Sequence, residues 1–397
     1  MEKVALVSQG RFLPVPAIYG GACEELMNII LTENEKYKKA NIFYLQKEYD
    51  SKTMEILKQK KFESTEMIYI KNNRFIDFCV KAINKVFRKL KIKVQFSTTY
   101  DSNVLKYCKK MNFDKIIFQA NLPPNIKKYS KYFKKEQLYQ QFHTQEPKYD
   151  LSKYVGNIIG ASKFVTNEWV DYFKENNINN MKSYVLQNLV DENKFLKEIT
   201  PKERNEIRNK YDFSKDDFII IFVGRLVQTK GIKQLIEAVV DLPENVKLMI
   251  VGIPNFKDKN KSPFLTKIQT YHQLYPNKIK FTGFIDNAEL FKYYQSADLH
   301  VVPSIRPEAA GLVVLEGLLC GLPSIITNSG GMPEYVGEGT IIIENNDKLI
   351  ENLKENIIGL TENNKLRQKM VEFNKKHSTK FKKEHYYQNF LEIINDK

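Results

Sequence analysis

Residues 218–252 read FIIIFVGRLVQTKGIKQLIEAVVDLPENVKLMIVG, and the order of properties along them decides the fold. An unbroken apolar run ending at Val223 predicts a strand buried on both faces of a parallel sheet. Gly224 permits a tight exit, Arg225 and Lys230 stand in the loop, Gly231 opens a helix, and VKLMIVG is the next strand. Strand, crossover helix, strand is the repeating unit of a doubly wound α/β sheet.

The same alternation extends in both directions. Towards the C-terminus the strands are IKFTGFI, DLHVVPS, PSIITNS and TIIIE; before it they are Val4–Val7, Ile42–Leu45, Met67–Ile70, Lys115–Gln119, Leu138–Phe142, Asn157–Ile159 and Ser183–Leu186. Between the two series the chain turns polar, with ITPKERNEIRNKYDFSKDD reading as a linker with one short helix. The expected organisation is a first doubly wound domain over 1–195, a linker over 196–216, a second domain over 217–380, and a C-terminal helix over 381–397 that crosses back to the first. Ligands of such sheets sit at the carboxyl ends of strands, and two such domains make a cleft.

Composition narrows the partners. The chain of 397 residues is 42% hydrophobic, which supports sizeable cores, and carries 62 Lys or Arg against 47 Asp or Glu. The resulting +15 points to an anion: nucleic acid, a membrane surface or a phosphorylated small molecule. Residues 51–135 alone hold 21 Lys or Arg against 6 Asp or Glu, so the excess resides there and the remainder is balanced. Four separated cysteines form no CxxC pair, which argues against a zinc site or disulfide framework and for a reducing cytoplasm. No apolar run is long enough to span a bilayer, so membrane contact is expected to be peripheral. The aromatic and basic residues show no recognisable nucleic-acid module.

Two segments carry chemistry. In GRLVQTKG, Arg225 and Lys230 beside a helix N-terminus make a cradle for a diphosphate, or else are solvated loop charges. In ADLHVVPSIRPEAAGLVVLEGLLCGLPSIITNSGGMPEYV, residues 297–336, a strand leads to Glu308, then Gly311 and an apolar helix expected to start near Ala309 and to contain Glu316. A carboxylate in an apolar helix is costly unless it binds something. The structural alternatives are an N-cap for Glu308 and an exposed face for Glu316. Gly330-Gly331 reads as a turn and helix entry.

Together these segments resemble the retaining glycosyltransferases of family 4, of the two-Rossmann glycosyltransferase B fold, and within them the spore coat protein SA-like group of capsule or cell-wall transferases. The resemblance runs through PAIYGGACEEL (16–26), FHTQEP (142–147), GASKFVTNEW (160–169), VLQNLVDENKF (185–195), GRLVQTKG (224–231) and PEAAGLVVLEGLLCGLPSIITNSGGMPE (307–334). Gln187 and Leu189 replace the usual Pro and Gly, and Ala-Ala-Gly follows Glu308 where many members have an aromatic before the glycine.

The resemblance implies two facing Rossmann-like domains around a cleft, and transfer of a sugar from a nucleoside-diphosphate-sugar, a UDP-sugar above all, to a glycan or lipid-linked acceptor. Arg225 and Lys230 would neutralise the diphosphate, Glu308 would hold the donor sugar, and Glu316 the ribose. Amides of Gly311, Leu312 and Val313 would complete the phosphate site at the exit marked by Gly224. Gly20 and Gly21 would admit backbone to the same phosphates, or form a plain turn. His143 would reach the transferred sugar, or serve as a structural hydrogen-bonder. Glu24 and Glu25 are explained equally by dipole capping. No Asp-x-Asp follows a strand, and Asp101-Ser102-Asn103 does not qualify, so neither a divalent metal nor any other cofactor is expected. The other readings of this fold are a nucleotide-sugar 2-epimerase, which would need a different set of acids and histidines, and a noncatalytic or partner-activating relative.

Finally, NRFIDFCVKAINKVFRKLKIKV (73–94) places Phe75, Cys79, Ile83, Val86 and Leu90 on one helical face and Lys81, Lys85, Arg88 and Lys89 elsewhere. It reads as a helix lying on an anionic membrane through 74–91, or as one packing its apolar face on the sheet. The first places the protein in the cytoplasm at the inner face of the membrane.

Overall fold

The computed structural model describes residues 1–9, 13–18, 21–92, 94–253 and 263–396. In chain order the first elements are β1 (Lys3–Val7), α1 (Ala22–Tyr37), β2 (Asn41–Lys47), α2 (Ser51–Gln59), β3 (Thr65–Ile70), α3 (Arg74–Lys89), α4 (Thr99–Met111), β4 (Lys115–Gln119), β5 (Leu138–Phe142), β6 (Asn157–Gly160), α5 (Lys163–Glu175) and β7 (Lys182–Val185). There follow α6 (Pro201–Lys210), β8 (Phe218–Val223), α7 (Ile232–Val240), β9 (Val246–Val251), α8 (Pro263–Leu274), β10 (Ile279–Gly283), α9 (Leu290–Ser296), β11 (Leu299–Val302), α10 (Leu312–Leu319), β12 (Ser324–Thr327), β13 (Thr340–Ile343), α11 (Leu349–Glu362), α12 (Asn364–His377) and α13 (Lys383–Asn395).

Two parallel sheets result. The first has the order β3-β2-β1-β4-β5-β6-β7 and the second β10-β9-β8-β11-β12-β13. In each, the chain winds outward one way and then resumes on the other side of the starting strand, so the switch points lie between β1 and β4 and between β8 and β11. Crevices for ligands open outside the carboxyl ends of strands at such points. All six residues of β8 are buried, because helices cover both faces of a parallel sheet. Ile220, Phe222, Leu248, Ile250 and Leu299 join Leu235 and Ile236 of α7 in one apolar core.

The chain divides into two compact units, Met1–Asn188 with Lys383–Lys397, and Leu189–Lys382. The polar stretch 196–216 belongs to the second of these. Thr200 and Glu203 form a capping box at the start of α6, with Pro201 in its first turn. Arg204 and Arg208 then reach Asp298 at 2.7 and 2.6 Å, and the same carboxylate accepts from the Ile219 amide at 2.8 Å. In the first unit, α13 packs on α1, burying Tyr386, Tyr387 and Phe390, and the Tyr387 hydroxyl donates to Asn34 Oδ1 at 2.5 Å.

The helix α3 exposes the residues expected on its apolar face. Of its sixteen residues only Asp77 is buried, so its apolar face is not packed on the sheet. No helix among the described residues is long and apolar enough to cross a membrane.

Candidate functional site

The site grows from the β8/β11 switch point. After β8, Gly224 leaves at φ +153 and the chain makes a short 3-10 turn at Gln228–Lys230 that ends on Gly231. Gly231 has φ +68, and a Cβ there would lie 1.8 Å from the Pro303 carbonyl oxygen just beyond β11. A side chain would therefore push apart the two loops that leave adjacent strands. Their approach is sealed by the Ile305 amide, which donates to the Thr229 carbonyl at 3.0 Å.

This contact delivers Lys230 to Glu308. Their Nζ and Oε1 lie 2.7 Å apart, and the Ser304 hydroxyl donates to the same Oε1 at 2.8 Å. Both charged side chains are about one-fifth exposed, enough shielding to hold one geometry and enough access to meet a solute. The Glu308 backbone is fixed from the other side by a parallel bridge to Gly330 and by the Gly331 amide, which donates to the Glu308 carbonyl at 2.8 Å. Arg225 is exposed and has no ion-pair partner among the described residues.

Helix α10 starts three residues later than expected. Gly311, at φ +75, caps it without a side-chain bond, so the first turn begins at Leu312 rather than near Ala309. A Cβ on Gly311 would lie 2.4 Å from Met332 Cγ, which is why the turn is glycine. The amides of Leu312 and Val313 belong to this first turn, where backbone donors have no partner within the helix. Glu316 follows in the same helix, half-buried between Leu315 and Gly317. Its Oε2 accepts from the Tyr294 hydroxyl at 2.9 Å, and burial pushes its carboxyl up from 4.5 to about 7.

Arg225, Lys230, Glu308, Gly311, Leu312, Val313 and Glu316 thus all lie in the second unit, and the loops after β8 and β11 bring Lys230 and Glu308 into contact. Sequence reasoning missed Ser304 and Tyr294, which orient the two carboxylates. Ser304 sits four residues before Glu308, but nothing in a lone serine signals that bond. Tyr294 lies in α9, twenty-two residues from its partner.

The remaining expected residues lie in the first unit. His143 follows β5, and its Nε2 donates to Gln119 Oε1, at the end of β4, across 2.8 Å. Burial lowers its pKa from 6.5 to about 4, so the ring is neutral with an acceptor at Nδ1, which has no partner among the described residues. Gly21 starts α1 at φ +106, and a Cβ there would strike Glu24 Oε2 at 2.2 Å. Glu24 in turn accepts from the Leu13 amide at 2.8 Å, which ties the loop after β1 to the helix. Gly20 lies outside the described residues. Among those described, no group of three or more His, Cys, Asp or Glu could hold a metal ion.

Known proteins are similar to this chain in part of the sequence and in the fold. Residues 203–377 match the family model described as Glycosyl transferases group 1. Two parallel-sheet α/β domains of this kind are those of the glycosyltransferase B fold: the structure of Anabaena HepE in complex with UDP and glucose aligns with a TM-score of 0.70 at 17% identity, covering 99% of each chain. Among curated relatives, an uncharacterized glycosyltransferase of Methanocaldococcus jannaschii is 34% identical over 137 residues, 34% of this chain and 33% of its own. Spore coat protein SA of Bacillus subtilis is 30% identical over 124 residues, 30% of this chain and 33% of its own. The matched stretch therefore spans about a third of these relatives' length.

Proposed function

We propose that the protein is a retaining, metal-independent glycosyltransferase that moves a sugar from a nucleoside-diphosphate-sugar to a glycan or lipid-linked acceptor, in the synthesis of a cell-surface polysaccharide or glycoconjugate. The observation that carries the reading is the Lys230–Glu308 pair, held at 2.7 Å at the carboxyl ends of adjacent strands beside an exposed Arg225. A UDP-sugar is the favoured donor, supported by the UDP in the HepE structure.

In this reading the second unit holds the donor. Lys230 and Arg225 neutralise the diphosphate as the glycosidic bond breaks, joined by the amides of Gly311, Leu312 and Val313 at the start of α10 and by backbone at Gly224. Glu308, released from Lys230 by the phosphates, accepts hydrogen bonds from the donor sugar, and Glu316 accepts from the ribose hydroxyls. The first unit, which carries Gly21 and His143, holds the acceptor. The acceptor oxygen attacks the anomeric carbon on the face from which the diphosphate departs, and a departing phosphate oxygen takes the acceptor proton. No resident cofactor takes part. The protein works in the cytoplasm at the inner face of the membrane, touching anionic lipid through 74–91.

The test is release of nucleoside diphosphate from a panel of nucleotide-sugars. Lys230→Ala and Glu308→Gln are each expected to lower turnover on the order of 10² to 10³-fold without unfolding the protein, the usual loss for one preorganised charge. Wild-type turnover in both would remove the site assignment.

A further inference from the structure

The hydroxyl of Tyr294 has one proton and two acceptors within reach. It lies 2.9 Å from Glu316 Oε2 and 3.3 Å from the Val313 carbonyl oxygen, both in α10. A hydroxyl donates to one of them at a time. The bond to an ionised carboxylate is the stronger, so the proton goes to Glu316 whenever that group is charged. Once Glu316 is protonated that advantage is gone, and the hydroxyl turns to the carbonyl in the first turn of the helix.

The ring that carries this hydroxyl is fixed. Tyr294 is fully buried, and it meets His300 of β11 edge to face, with ring centroids 5.1 Å apart at 87°. Phe195 approaches it edgewise as well, at 6.3 Å and 71°. His300 is itself packed on α10: a Cβ on Gly317, the residue after Glu316, would lie 2.3 Å from its Nδ1. Phenol, imidazole and helix fill one space, and the direction of a single proton is left to vary.

The electrostatics around the carboxyl set that direction. Burial raises the pKa of Glu316 to about 7, and the Tyr294 hydrogen bond and the charge of Lys194, in the turn Glu192–Lys194, both act against the rise. The other titratable groups packed here are uncharged near neutral pH. Burial holds His300 down at about 3, and burial with Glu316 alongside pushes the Tyr294 phenol and the Cys320 thiol well above their usual values. Among the described residues the Tyr294 hydroxyl is the single hydrogen-bond donor to this carboxylate, and it takes Oε2 alone.

We infer that Tyr294 is the positioning residue that makes Glu316 a reader of ribose: by donating to Oε2 it keeps the carboxylate ionised, with Oε1 and the second lone pair of Oε2 left for the two adjacent hydroxyls of a nucleotide. A protonated Glu316 presents an O–H of its own and cannot accept from both hydroxyls, so ribose is told from deoxyribose only in the ionised state. The inference rests on the reading of this unit as the holder of a nucleotide-sugar.

The experiment is calorimetric titration of the full chain with UDP and with 2′-deoxy-UDP from about pH 5.5 to 9.5. The readout is the ratio of the two affinities, which cancels the titration of the phosphates and of every residue that does not face the 2′-hydroxyl. In the wild type the ratio is expected to lie near unity at the acid end and to rise on the order of tenfold, with its midpoint near 7. Tyr294→Phe keeps the ring and removes the hydroxyl. It should retain the alkaline plateau and move the midpoint up by about one to two pH units, the worth of one hydrogen bond to a charged group. Glu316→Gln should give a low, flat ratio throughout. An unmoved midpoint in Tyr294→Phe overturns the inference, as does weakening of both nucleotides by one factor at every pH, which is what damaged packing would give. If Tyr294→Phe does not fold, NMR of the wild type labelled at tyrosine Cζ decides: one resonance should titrate with the same midpoint and cease to do so in Glu316→Gln, and the lack of such a resonance overturns the inference. Failure of both nucleotides to bind at any pH removes the donor reading as well, whereas binding of both without a pH-dependent preference removes only the role given to Tyr294.

Discussion

Glu316→Gln is expected to stabilise the protein at pH 8 and to change little near pH 4.5. The carboxyl sits in an apolar helix, and burial raises its pKa from 4.5 to about 7 in the folded state. Between those values the unfolded chain has released the proton and the folded chain still holds it. The carboxyl's contribution to stability is therefore fullest below 4.5, falls as pH rises from there, and is gone once pH passes the folded value. At ~1.4 kcal/mol per tenfold in equilibrium constant the full interval is worth about 3 kcal/mol. The side chain retains some solvent contact, so about 1.5–3 kcal/mol is the expected range. Glutamine mimics the protonated acid and can still accept from Tyr294, so it escapes the loss. Urea unfolding of both proteins from pH 4.5 to 8 measures the difference. The gap should open from near zero at pH 4.5, widen through the interval, and level off above pH 7. A gap that is constant across the range, or largest at the acid end, refutes the argument that desolvation controls this carboxyl.

Three other perturbations test the surroundings. Gly231→Ala must place a Cβ 1.8 Å from the Pro303 oxygen at φ +68; a left-handed backbone costs about 1–2 kcal/mol and the loop shift adds to it. We expect a loss of ~2–4 kcal/mol in a urea melt, and weaker nucleotide-sugar binding by calorimetry as Lys230 leaves Glu308. His143, held at about 4 by burial, has a folded pKa below its unfolded value, so the ring's contribution to stability is lost as pH falls from 6.5 towards 4, by up to about 3 kcal/mol; the stability difference between wild type and His143→Gln should shift by that amount over the interval. Asp298→Ala strands Arg208, which is 7% exposed, and should cost ~3–5 kcal/mol in denaturant unfolding, whereas Asp298→Asn, which still accepts from the Ile219 amide, should cost less.

The parallel sheets were legible because their central strands must be apolar on both faces: FIIIFV admits no other placement. Crossover helices and glycine exits follow from the same constraint. The start of α10 was not legible, since whether Gly311 lies within a helix or caps it depends on the close approach of Met332, twenty-one residues away. Sequence periodicity located the amphipathic α3 but is silent about what covers an apolar face, and the deciding residue was Asp77, whose bonds go to Thr99 and Asn72. In the candidate site, charged residues next to glycine-bearing strand exits could be singled out. Their orienting partners could not, because Ser304 and Tyr294 acquire a role only through folding. A cavity of about 580 Å³ in the first unit was invisible for the same reason. Its walls come from the ends of β1, β2 and β4 and from α3 and α4, and residues as far apart as Val7 and Tyr129 meet there only through folding.

The return of α13 to α1 bears on the order in which the protein can be made. The first unit is built mostly from Met1–Asn188, yet the surface of α1 that receives Tyr386, Tyr387 and Phe390 stays uncovered until Asn395 has left the ribosome. The half that is translated first is thus the last to be finished. The second unit, continuous in sequence, can complete its core while the first still waits with an apolar seam open. Release of the first 188 residues on their own would expose that seam, so such a fragment should require the helix supplied in trans to remain dispersed.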